Sequence, residues 1–251
     1  MSSSYRKDRV HWITIHKKLP NVSMDDFKSR RELLATKFLD IPVVQENLAN
    51  FNFVISNNML DDYVQTAGLS APNPVVLLIS EVTTKDRIGE MNEDRDLQLL
   101  AQEFSDLRPG RGVSILVAAS KVLVDKESRT TSSNRVHRFS ILGVPEGMAP
   151  QECEGQVAAI SERFTKLAVF QKNVLGRTVF ATSVDNLDSA MHQLDVEVAK
   201  HTFIIHHEYE NQGNMMELLN SAEYKQYLAE SKKTFNTTMF CADVITMLNK
   251  N

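Results

Sequence analysis

The sequence predicts an α+β fold in which a single chain of 251 residues carries two copies of a β-α-β-β-α-β unit. The first observation is self-similarity at a long period. RVHWITI at 9–15 matches RVHRFSI at 135–141, which sets His11 over His137 at an offset of 126 residues. The same offset sets VVQEN (43–47) over VFQKN (169–173) and Phe53-Val54 over Val179-Phe180. Glu81 after VLLIS then meets Glu208 after FIIHH at an offset of 127. A register kept over this distance marks a duplicated unit. It slips to 119 where Leu99-Leu100 meet Leu218-Leu219, so the first half holds about eight extra residues around TTKDRIGEM. The second observation is that both halves run through strand and helix periodicities in the same order. The third is the polar, Ser/Thr-rich stretch DKESRTTSSN at 125–134, which has the composition of a surface crossing. The division is therefore an N-terminal half at 9–126, a linker at 127–134 and a C-terminal half at 135–250.

Each element follows from local chemistry. Strands open the halves at 10–16 and 136–144, where apolar and polar residues interleave. In the first helix Ser23 caps the start, Asp25 and Asp26 fill the opening turn, and Phe27, Leu34 and Phe38 recur at helical spacing. Pro150 suits the first turn of its counterpart. Strands come next at 51–56 and 177–182, and after a variable connection apolar strands at 75–82 and 202–208. Helices at 94–106 and 215–230 and closing strands at 113–124 and 237–248 complete each unit. RPGRG at 108–112 reads as a helix stop, since no Lys-Ser pair or helix follows to make a phosphate cradle. This order is that of a ferredoxin-like plait, two helices on one face of a four-stranded antiparallel sheet. The other face must also be buried, and two such sheets in one chain can cover each other.

Composition excludes several classes. A net charge of -4 and a pI near 6.0, with scattered basic residues, give no footprint for nucleic acid. Cys153 and Cys241 have no CxxC partner and read as reduced thiols. MSSSYRKDRV lacks the apolar core of a signal peptide, and no apolar run approaches the ~20 residues of a membrane helix. The expectation is a cytoplasmic protein with no membrane partner. No HxH, HExxH or Cys/His cluster at ligand spacing occurs, so no metal site is expected.

Tandem halves that each carry Val-x-Gln-x-Asn near the end of the first helix resemble the dimeric α+β barrel superfamily, within it the EthD-like and stress-responsive A/B-barrel proteins. LLNSAEYKQYLAESKKTF at 218–235 is similar to that superfamily's second helix. The resemblance implies a barrel of two facing sheets around an apolar cavity, here supplied by one chain. It also implies small aromatic or polyketide-like substrates, with cofactor-free oxidation, cyclisation, decarboxylation or dehydration. Some such proteins bind haem, and others have no known activity. Relatives often end the first helix in Tyr-x-Gln-Asn-His. Here Gln45 and Gln171 match, but Val43 and Val169 stand at the Tyr positions and Asn47 and Asn173 at the His positions. A Tyr-His acid–base pair is thus absent from both halves.

His11 and His137 occupy equivalent places on the opening strands. A neutral imidazole there can serve as a general base, or simply bond to backbone at a strand start. In FIIHHEY (203–209), successive side chains point to opposite sheet faces, so His206 and His207 cannot chelate one ion together. Their first-half counterparts are Ile79 and Ser80, and the reading takes His207 as the cavity residue. Gln45 and Gln171 either orient a ligand or tie helix to sheet. The functional expectation is a small-molecule barrel, acting on an aromatic or polyketide-like substrate as a lyase, isomerase/cyclase or oxygenase without a cofactor. The alternative is a non-catalytic ligand-binding or stress-responsive protein, and a third reading gives one histidine to haem iron. The expected partner is a small apolar or aromatic ligand. Fused halves can satisfy sheet pairing internally, so the chain is expected as a monomer or homodimer.

Overall fold

A computed structural model describes residues 6–69, 73–104, 112–126, 135–145, 147–182, 197–198 and 202–250. The first half runs β1 (Arg6–Lys17), α1 (Met24–Asp40), α2 (Pro42–Asn47), β2 (Leu48–Asn57), α3 (Asp61–Thr66), β3 (Val75–Val82), α4 (Lys85–Glu93), α5 (Arg95–Glu103) and β4 (Val113–Asp125). The second runs β5 (Val136–Gly143), α6 (Pro150–Thr165), α7 (Ala168–Asn173), β6 (Val174–Thr182), a two-residue β7 (Glu197–Val198), β8 (Thr202–Tyr209), α8 (Gln212–Asn220), α9 (Ala222–Thr234) and β9 (Asn236–Asn249). The expected linker at 127–134 lies outside the described residues.

Eight strands close into a ring. Neighbours run β4-β1-β3-β2 in the first half and β9-β5-β8-β6 in the second, so both halves repeat one plan. The long closing strands join them. β4 pairs with β1 from His16↔Val113 to Val10↔Ala119, then continues along β6 from Ala118↔Thr182 to Asp125↔Gly176. β9 likewise leaves β5 near Ala242 and follows β2 to Asn50↔Asn249. The halves therefore share strand edges as well as facing each other, which removes the open edges that invite aggregation. This is an α+β fold of two ferredoxin-like units closed into an eight-stranded barrel within one chain.

Strand alternation divides the core into layers. Ile13, Ile15, Leu77, Leu116, Ile204 and Phe240 point inward and fill one end of the barrel. Trp12, Phe51, Leu78 and Val113 point outward against the helices of the first half. Met239, Tyr209, Phe164 and Leu218 belong to the corresponding layer of the second.

Helix starts are set by local capping. Ser23 Oγ accepts the Asp26 N–H, and Pro150 sits in the first turn of α6. Two helical readings need correction. The expected helix at 215–230 is two helices, because Ser221 is an N-cap: its Oγ accepts the Tyr224 N–H at 3.1 Å and donates to the Leu218 carbonyl at 2.8 Å. The VVQEN and VFQKN segments are also separate short helices, α2 and α7, rather than the end of the long ones. The extra residues around TTKDRIGEM form α4, whose Ile88 and Met91 are fully buried.

Candidate functional site

The end of the barrel that the apolar plug does not fill is a chamber of about 720 Å³. Its walls include Phe139, Phe180, Val54, Ile79, Ala242 and Val244, and its polar groups include His11, His137, His206, Glu81 and Glu208. The volume lies within the range typical of small-molecule sites, roughly 300–1,000 Å³.

The sheet ladder brings the polar groups together. β5 and β8 are antiparallel with His137 opposite Glu208 and Phe139 opposite His206, so all four share the inward face. His137 Nδ1 and His206 Nε2 lie 3.0 Å apart, one ring carrying the proton between them. The His206 ring lies 4.4 Å from that of Phe139 at 7°, a parallel stack that fixes its plane. Glu208 accepts from Arg135 Nη1 at 3.1 Å. Burial, with a smaller contribution from His137, pushes the His206 imidazole down to about 3. Burial likewise lowers His137, against an opposing pull from Glu208. Both rings are neutral near pH 7. Across the chamber, His11 Nε2 bonds the Ser120 hydroxyl at 2.9 Å, and its ring meets Phe180 edge-on at 5.0 Å.

Of the residues singled out in the sequence, His11 and His137 face the chamber and His207 does not. His207 projects to the helix layer, with Nδ1 3.1 Å from Arg138 Nη2 and Nε2 3.1 Å from Arg177 Nη1. Both arginines are 1% exposed, and Arg177 also donates to Ser161 Oγ at 2.8 Å. Burial first, then the charges of Arg138 and Arg177, hold His207 well below the usual histidine range. The chamber histidine is its neighbour His206. Gln45 and Gln171 have exposed side chains on the outside of the barrel. Their backbone carbonyls accept from Lys250 and Lys126, just past the closing strands. Asn47 and Asn173, at matching places in the two halves, donate Nδ2 to the Val43 and Val169 carbonyls of their own helices at 2.8 and 3.0 Å. Sequence reasoning missed the cluster of His137, His206 and Glu208, whose ligating atoms all lie within 4.8 Å of one another.

His16, on the outward face of β1, gives a stability prediction. Its Nε2 contacts Thr14 Oγ1 at 2.7 Å, and burial, then the Arg31 guanidinium, hold its imidazole well below the usual range. The folded chain keeps this ring neutral while the unfolded chain protonates it below about pH 6.5. Stability is therefore full above that pH, and this group removes about 1.4 kcal/mol per pH unit below it until the folded ring also protonates. Urea unfolding at about pH 7.5 and about pH 5.5 checks this. His16→Gln should lose less stability across the interval than wild type, and an equal loss would refute the assignment.

No protein-family model matches the chain, and no curated protein sequence matches it. Solved structures do. An anthrone oxidase-like protein superposes with a TM-score of 0.59 at 8% identity, covering 97% of this chain and 95% of that one. A candidate monooxygenase of Fusobacterium nucleatum subsp. nucleatum gives 0.52 at 9% identity, over 97% and 95%. One from Lactobacillus acidophilus gives 0.52 at 10%, over 97% of each chain. These likenesses show the fold, an α+β barrel of the dimeric α+β barrel type, and here both halves of the barrel come from one polypeptide. No helix among the described residues is long and apolar enough to cross a membrane.

Proposed function

We infer that the barrel binds a small aromatic or polyketide-like molecule and acts on it, the reaction being a lyase, isomerase/cyclase or cofactor-independent oxygenase reaction. The observation that carries this reading is the chamber itself: about 720 Å³, walled by Phe139 and Phe180, with three imidazoles facing it. Aromatic walls suit an apolar ring system, and the polar end suits the carbonyl or hydroxyl of such a molecule. His11, held by Ser120, is positioned to take a proton from the bound ligand, with the His137–His206–Glu208 wall anchoring a ligand oxygen. Likeness to an anthrone oxidase-like protein supports a fused-ring ketone as first probe.

A second reading is a ligand-binding protein without chemistry. It is favoured by Asn47 and Asn173, which stand where relatives place a histidine and spend their side chains on helix carbonyls. Titration of a panel of fused-ring ketones and phenols, anthrone included, with product analysis separates the two. Enzymatic action predicts turnover that His11→Ala lowers with little change in affinity. Binding without turnover selects the second reading, and a panel that neither binds nor reacts would overturn both. We place the protein in the cytoplasm as a monomer or homodimer, since the closed ring completes its sheet pairing within the chain.

A further inference from the structure

We propose that His137, His206 and Glu208 form a binding site for one divalent first-row transition-metal ion on the wall of the chamber. The inference rests on the chamber being the ligand site and adds an ion to it.

Two nitrogens held by one ion at about 2.0–2.1 Å stand about 2.9–3.4 Å apart in right-angled to tetrahedral geometry. His137 Nδ1 and His206 Nε2 already stand 3.0 Å apart, with a Glu208 carboxylate oxygen within 4.8 Å of both. A shared hydrogen bond holds the two rings, and Arg135 holds one oxygen of the carboxylate beside them.

The three side chains are held on rigid structure. β5 and β8 fix their Cα positions by ladder pairing, and the Phe139 stack fixes the plane of His206. On β6, Gly176 lies opposite Glu208, where an added Cβ would come within 3.3 Å of the Glu208 Cβ and Cδ. The missing side chain makes room for the carboxylate. Arg135 engages Glu208 Oε2, and a carboxylate has a second oxygen to offer an ion.

The donor set matches the class of ion. Two neutral imidazoles and one carboxylate suit zinc, iron or cobalt in the divalent state, and three ligands from one wall leave further coordination positions toward the chamber. A ligand's carbonyl or phenolic oxygen could complete the shell, and the ion would then polarise that oxygen as a Lewis acid. The first half cannot build a second copy. Ile79 stands where β8 has His206, and His11 is engaged by Ser120. One such site among the described residues follows.

The test is titration of untagged, chelator-stripped full-length protein with Co²⁺, with no organic ligand present, read by calorimetry and visible absorption. Wild type should bind one equivalent and develop visible cobalt bands. His206→Ala and Glu208→Gln should each weaken binding at least tenfold, while Glu217→Gln, at an exposed carboxylate on α8 outside the chamber, should leave it unaltered. Circular dichroism confirms that each variant is folded, and His137→Ala replaces one that is not. No binding by wild type, or binding that survives His206→Ala unchanged, overturns the proposal. Because the titration contains no organic molecule, its failure is separate from failure of the ligand panel.

Discussion

Replacing Phe164 with alanine destabilises the protein by about 3–5 kcal/mol, the range for deleting a fully enclosed aromatic side chain. Phe164 is 1% exposed and closes the helix layer of the second half. Its ring stacks on Tyr227 at 4.3 Å, meets Phe170 at 4.6 Å and lies under the Arg177 guanidinium at 5.0 Å. Alanine would leave a void beside the buried Arg177 and His207, neither of which can collapse into it without breaking polar contacts. The repeat supplies the control. Phe38, the counterpart in the first half, is only partly buried, so Phe38→Ala should cost less. Denaturant unfolding with an unchanged slope would measure both. A cost below about 1 kcal/mol for Phe164→Ala would mean that the layer is not packed as described.

Val244→Trp should abolish ligand binding while leaving the fold intact. Val244 lies on β9 opposite Val54, on the chamber wall with Phe139 and Phe180. An indole there enters open volume, so it competes with the ligand without forcing packed atoms apart. Ile245, its neighbour, is 47% exposed, and Ile245→Trp is the matched control. Titration with anthrone should show at least a hundredfold loss of affinity for Val244→Trp and little change for Ile245→Trp. Equal affinities in the two variants would place the ligand elsewhere.

Much of the fold was legible because it is written in short-range chemistry. β3 occupies 75–82 as its apolar run predicts, and Ser23 and Pro150 start their helices as capping rules require. The barrel itself could be read from the repeat, since a duplicated plait leaves two apolar faces that must be covered. What stayed hidden depends on long-range register. Alternation separates His206 from His207 but does not say which face turns inward. The signal was present in the pairs His11↔Glu81 and His137↔Glu208, directly opposite each other in both halves. A His-Glu pair repeated at the same place shares one face, and that parity selects His206. The buried arginines around His207 were harder to see. Arg138 and Arg177 stand where the first half has Trp12 and Phe51, and nothing local says that a charged residue replaces an aromatic one in a core. The break at Ser221 was readable from its own side chain, since serine between two helical segments is an N-cap as readily as an interior residue.

A crystal structure of the protein soaked with anthrone would locate the ligand. The ring system should lie inside the barrel, against the edge of Phe139 and beside Phe180, with its oxygen turned toward His137, His206 and Glu208. Density for the molecule only on the outer surface, or a chamber closed by its own side chains, would contradict it.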